Sequence, residues 1–297
     1  MADYGRVLVS GLVLGSAGRL LLLRADYRQY PSFPRGYVTH LVLGIIAAAL
    51  GAIAVPALAE KEYTAVTFLA LAAQQFRDIR SMERDSLESV DSTELVPRGS
   101  DYIEDIAKTF EARNYIAMVT ALSASLVVYL SDSIAAGVLA GAAVFAGIVY
   151  SLKGEKVGDM AEVVEAKIEF DGPLLMVDGV ALMNIGHAKA REKYLTRAIA
   201  VRIIPKDDNA RVTLGNVGQR QALVHNAATQ LGIRKDVDEP EFTPIARRNT
   251  ESGDIVMAIF SMEPDIECLI EAVKKTPVLE SSKRKPLDSP AGRKASD

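Results

Sequence analysis

The chain has 297 residues, 49% of them hydrophobic and 24% charged, which is enough for two domains of ordinary size. A formal net charge of -4 supplies no global basic field for nucleic acid, and the single cysteine, Cys268, excludes an internal disulfide and suits a reducing compartment. The apolar excess is confined to Val7–Leu152; from Lys153 onward charged and apolar residues alternate as in a water-soluble protein.

The first apolar run, Val7 to Leu23, is about 17 residues long, near the lower limit for crossing a bilayer. It follows Asp3 and ends in leucines before Arg24, without a small-residue cleavage site, so it reads as a retained helix with Arg19 snorkelling near its end. Tyr37–Ala59 is the strongest span, at about 23 residues, and tolerates Pro56 near its exit. After the polar turn Glu60-Lys61-Glu62, Tyr63–Phe76 offers about 14 apolar residues, which either cross a tilted bundle or enter part way. Tyr115–Leu130 and Ile134–Leu152 form a hairpin around Ser131-Asp132-Ser133. Arg24, Arg28 and Arg35 in the first loop, six basic residues between Arg77 and Arg113, and Lys153 and Lys156 after the last span place those segments inside. Five spans then leave the N-terminus outside and the C-terminal domain cytoplasmic; four would put both termini on one side. Gly11 with Gly15, Gly137 with Gly141, and Ala143 with Gly147 bring helix backbones close, within one bundle or between two copies. His40, near the cytoplasmic end of its span, has no second ionisable ligand at useful spacing and reads as a polar side chain reaching the interface.

Between the spans, residues 77–114 carry dense charge of both signs. Leu95 to Ser100 spells a hexapeptide that thrombin cleaves, and it runs without a break into Tyr102, Ile103, Glu104, Asp105, Ile106 and Ala107. Ser100 or Asp101 can cap a helix with Ile103, Ile106, Ala107 and Phe110 on one apolar stripe and Glu104, Asp105, Lys108 and Glu111 outside it. The stretch from Tyr102 to Ala107 resembles the hexapeptide that names the YIEGIA family, membrane proteins of endospore-forming bacteria, with Asp105 where the name has Gly. Lys108, Phe110, Glu111, Ala112, Arg113, Asn114 and Tyr115 continue the family pattern, and the similarity extends over nearly the whole chain, including Gly218 to Arg220. The resemblance implies a membrane protein of the developing spore envelope.

From Val163 the pattern becomes strand-like: Val163–Phe170, Leu174–Val177 and Val180–Ile185, joined by tight turns at Asp171-Gly172 and Asp178-Gly179. A helix over Ala188–Leu195, a strand over Ala198–Ile204, a helix over Gln219–Leu231, a long polar loop, a strand over Asp254–Phe260 and a helix over Asp265–Lys275 follow. The fold class expected is an α-helical membrane bundle of about five spans, followed by a soluble α+β domain with helices on one face of a mixed sheet. The domains are 1–152, with the charged cytoplasmic segment 77–114, then 153–278, then a disordered basic tail at 279–297 able to touch anionic lipid.

Three sets of residues bear on function. Gly218 and Arg220 open a helix whose free N–H groups suit an anion or a partner, although the spacing is neither a Walker loop nor a dinucleotide fingerprint. Asp171 and Asp178 sit in apolar-flanked turns and could form an aspartic-type peptidase dyad, shared across a homodimer, although neither is followed by the Ser or Thr that usually holds such a carboxylate. No HExxH, GxSxG or Cys/His cluster occurs, so no metal or cofactor is expected; His225 stands alone and Cys268 reads as a small buried apolar residue. The leading reading is a noncatalytic, sporulation-associated protein of the lipid bilayer whose cytoplasmic domain binds a protein partner and no nucleic acid; the alternative is a membrane-tethered peptidase. A transporter is disfavoured because the spans lack acids and matching halves.

Overall fold

The structure is a computed structural model and describes residues 4–26, 35–236 and 239–295. Arg28, from the first basic loop, lies outside the described residues. The chain divides into a membrane unit, residues up to 87 with 106–153, and a soluble unit, residues 88–105 with 154 onward.

The membrane unit draws on five helices: α1 (Gly5–Asp26), α2 (Arg35–Ala59), α3 (Tyr63–Asp91), α4 (Ser100–Ser131) and α5 (Ile134–Ser151). Four of them, α1, α2, α4 and α5, are long and apolar enough to cross a membrane. α3 is not among them, which revises the expected count of about five. Its apolar stretch does not end in a turn at Phe76 but continues as one helix through Arg77, Asp78 and Arg80 to Asp91, so its length comes from charged residues. Glycines set the helix spacing. A Cβ on Gly11 would lie 2.7 Å from the Ala121 carbonyl oxygen of α4, and one on Gly15 2.7 Å from that of Ala117. Gly137 and Gly141 meet Ala124 of the same helix, whereas nothing lies within 4 Å of a Cβ on Gly147. Two of the three expected small-residue pairs thus pack inside one copy, where lipid supplies no hydrophobic drive and close backbone contact replaces it.

The soluble unit contains α6 (Val157–Met160), β1 (Ala161–Glu165), β2 (Ile168–Asp171), β3 (Leu174–Val177), β4 (Val180–Asn184), α7 (Ala188–Arg197), β5 (Ile199–Pro205), α8 (Asp208–Leu214), α9 (Val217–Leu231), β6 (Lys235–Asp236), β7 (Glu239–Pro240), β8 (Ile245–Arg248), β9 (Ile255–Ile259), α10 (Ile266–Lys274), a 3-10 turn at Pro286–Asp288 and α11 (Pro290–Ala295). Its main sheet has the order β1-β5-β9-β8, and β2-β3-β4 form a second. Among the described residues every strand pairing is antiparallel, not mixed, because neighbours are joined by short turns, as β8 to β9, or by returns that reverse direction.

All five residues of β9 are buried, since both faces of the main sheet are covered. Ile255, Met257 and Ile259 join Val163, Val201 and Ile203 against Leu223, Val224 and Ala227 of α9 and Leu269 and Val273 of α10. Val256 and Ala258 face the other way, onto Leu175, Val177, Leu182 and Tyr194. The expected strand Val163–Phe170 breaks at Ala166-Lys167 so that its two halves serve different sheets. The expected polar loop before β9 contains β8.

The tail is a further correction. Val278 and Leu279 are buried, and residues 277–289 are held on α8 and α9 by polar bonds that composition does not reveal.

Candidate functional site

The start of α9 gathers three separate segments of the soluble unit. Asn216 caps the helix, its side chain accepting from the Gln219 N–H at 3.2 Å. Gly218 follows because Asp101 needs the space: a Cβ there would fall 2.0 Å from Asp101 Oδ2. The expected anion position at this helix start is therefore filled by the chain's own carboxylate, where the helix dipole favours negative charge. Gln219 is fully buried and holds the tail. Its Oε1 accepts from the Leu279 N–H at 2.8 Å and the Ser282 hydroxyl at 3.0 Å, and its Nε2 donates to the Pro277 carbonyl at 3.0 Å. Arg220 reaches the edge strand, donating from Nη1 to the Ala246 carbonyl at 3.1 Å.

One and two turns on, the same helix grips the segment that precedes the hexapeptide. His225 Nδ1 lies 2.7 Å from the Val96 carbonyl, and Arg98 Nε lies 3.2 Å from His225 Nε2. A guanidinium only donates, so Nε2 accepts and Nδ1 carries the proton: the ring is the neutral Nδ1–H tautomer by assignment from its partners. Burial holds the His225 pKa below its ordinary value; Arg98 adds to this, against the Val96 bond and Glu94 and Asp91. Asp91 accepts from the N–H groups of Arg98 at 2.7 Å and Gly99 at 3.2 Å. Tyr102 donates to Asn226 at 3.4 Å and sets its ring edge-on to His225.

The hexapeptide itself divides. Tyr102 to Asp105 belong to the soluble unit, Ile106 and Ala107 to the membrane unit, and the stripe Ile103, Ile106, Ala107 and Phe110 is buried as its spacing predicts. Glu104, Asp105, Lys108 and Glu111 are half-buried instead of fully outside. Asp105, where the family name has Gly, accepts from the Glu280 N–H at 3.1 Å and so secures the tail.

The two turn carboxylates do not meet. Asp171 pairs with Leu174 at one end of β3 and Asp178 follows its other end, about 13 Å away at the usual rise per residue. Asp178 and Gly179 both have positive φ, 44° and 77°, the two-residue hairpin turn that Asp-Gly favours. Asp178 Oδ1 accepts from the Lys167 N–H at 2.9 Å, and Oδ2 lies 3.9 Å from Arg202. Among the described residues no group of three or more His, Cys, Asp or Glu side chains could hold a metal. Cys268 is exposed, contrary to the buried reading, because it lies on the outer side of the first turn of α10; Asp265 beside it raises its thiol pKa. An open cleft of about 200 Å³ runs beside the clasped segment, lined by Glu94, Leu95, Val96, Ala228, Thr229 and Ile233.

Sequence reasoning missed a polar cluster inside the membrane unit. Arg19 is 0% exposed, not snorkelling: its Nε donates to Asn114 at 3.3 Å and its guanidinium lies 5.7 Å from the Phe110 ring centre. His40, 2% exposed, packs its ring against Phe110 at 4.4 Å between centres and tilted by 41°, with Nε2 3.9 Å from Glu83. Gly44 makes the room, since a Cβ there would be 2.1 Å from Arg19 Cγ. A signal was present in the sequence: an arginine within an apolar run and a glycine midway along the next span. Also missed were Arg247 and Arg248, which the Ile245-Ala246 pair and the Asn249–Gly253 turn mark as strand residues.

The family model described as "YIEGIA protein" matches residues 7–289. A Bacillus subtilis (strain 168) protein described as "Uncharacterized protein YphB" is 42% identical over 289 residues, covering 97% of each chain. No solved structure matches.

Proposed function

We propose for this chain, which belongs to the YIEGIA protein family, the role of a noncatalytic, sporulation-associated membrane protein whose soluble unit binds a protein partner. The observation that carries the reading is the open, largely apolar cleft beside Leu95 and Val96, with one carboxylate and no convergent pair. A peptidase dyad would need two carboxylates sharing a proton, and Asp171 and Asp178 approach only if two copies bring their hairpins together. The soluble unit is assigned to the cytoplasm. Residues 88–105 fold with it and are flanked by Arg77, Arg80 and Arg84 on one side and Lys108 and Arg113 on the other, the richer side of the basic-residue balance. With four spans the N-terminus shares that side.

The test replaces the gene in a spore-forming host by variants of equal membrane level. Thr229→Lys, which fills the cleft, is expected to lower spore yield at least tenfold. Asp178→Asn, which keeps the left-handed turn, is expected to leave it unchanged. An inert Thr229→Lys would contradict the cleft. Loss of function in Asp178→Asn together with a missing cleavage product would make the peptidase the better account.

A further inference from the structure

Arg220 emerges from α9 beside two more arginines of the edge strand β8, and the local charge does not balance. Its Nη1 is used by the Ala246 carbonyl, but its Nε is buried with no hydrogen-bond partner. Buried guanidinium N–H groups normally find an acceptor. Arg248 stands two residues beyond Ala246, on the same side of the strand, and packs its Cδ and Nη1 3.3 Å from the place a Cβ of Gly215 would take. Arg247, on the opposite side of the strand, donates from Nη1 to the Ala181 carbonyl at 3.4 Å. Two acids of neighbouring elements are engaged elsewhere, Asp208 by Arg211 at 3.1 Å and Asp254 by Arg202 Nε at 2.8 Å.

We propose that Arg220 and Arg248 form a binding site for a phosphate group. Like charges gathered without a counter-charge are costly unless an anion is taken up, and guanidinium forks match phosphate oxygens with paired N–H donors. A phosphate, with up to two negative charges, balances this cluster better than a single carboxylate would. Burial, and then the charges of Arg248 and Arg247, lower the Arg220 pKa, and a bound anion would offset that repulsion. The glycine-led helix start is not the site, since Asp101 occupies it; the donors are side chains on the β8 side. The inference goes beyond partner binding at the cleft and does not depend on it.

The phosphate could be a free solute's or a lipid headgroup's, and calorimetry separates the two. The full chain in neutral-detergent micelles at low salt is titrated with inorganic phosphate and, separately, with dihexanoyl phosphatidic acid below its micellar concentration. Saturable binding of either is expected, weakened at least tenfold by Arg248→Glu, an exposed position that leaves the core intact. Similar affinities identify the phosphate itself as the ligand; much tighter binding of the lipid identifies a headgroup. Lys189→Glu on α7 makes the same change of charge elsewhere and is expected to bind as wild type. No binding of either probe overturns the proposal, as does undiminished binding by Arg248→Glu or an equal loss in Lys189→Glu.

Discussion

The two units bury polar groups by opposite means. In the soluble unit each buried polar side chain of the α9 site has a long-range backbone partner: Gln219 on Pro277 and Leu279, His225 on Val96. In the membrane unit Arg19 and His40 lean on an aromatic ring, Phe110, with Asn114 and Glu83 as polar neighbours, and glycines create the space. Water explains the difference. Apolar burial drives the soluble core together and leaves backbone groups to be satisfied locally, whereas helices in lipid already satisfy their backbones and associate by close packing.

That contrast is easiest to break at its apolar extremes. Tyr194, fully buried among Phe170, Phe242 and Phe260, should cost about 4 kcal/mol when cut to Ala. Its hydroxyl is buried without a partner, so Tyr194→Phe should be neutral or stabilising by up to about 1 kcal/mol. Amide exchange of β9 reports both. In the membrane unit, Gly15→Leu forces a side chain against the Ala117 carbonyl and should cost about 3 kcal/mol, read as lost resistance to unfolding in mixed micelles. Gly147→Leu should cost nothing measurable; equal losses would mean that glycine spacing does not set the bundle.

Gln219→Ala leaves the Leu279 N–H and the Pro277 carbonyl unmet and should cost about 2 kcal/mol, releasing residues 277–289 to protease before the rest of the unit. The smallest effect is that of pH. Because the His225 pKa is depressed in the fold, the unfolded chain takes up the proton first. Stability should be full at pH 7, fall as pH drops through about 6.5, and level off below the folded pKa. His225→Gln should flatten that slope in a urea titration of the soluble unit; an unchanged slope would assign it to other groups.

What was legible in the sequence followed from local rules. Long apolar runs marked α1, α2, α4 and α5, Asp178-Gly179 marked its hairpin, and Asp265 caps α10 by accepting from the Cys268 N–H. The misses came from distance and context. The tail reads as disordered because the side chains that hold it, Gln219, Asn209 and Asp105, lie 60, 78 and 175 positions away, and Val96 and Arg98 read as connector because His225 lies more than 120 positions on. Arg19 reads as snorkelling because only the glycine of a neighbouring helix shows that the bundle has room for it. Of the candidate sites, Arg220 was legible as a cation at a helix start; its companions on β8 were hidden by an apolar signal only two residues long.

The central claim is that the segment before the hexapeptide is part of the soluble unit and not a connector between spans. Hydrogen exchange of the full chain in lipid nanodiscs tests it most directly, at the Arg98 and Gly99 amides that Asp91 accepts. The account predicts protection within about tenfold of the α9 core, lost at both amides in Asp91→Ala. Exchange at the rate of an open loop in the wild type would contradict it.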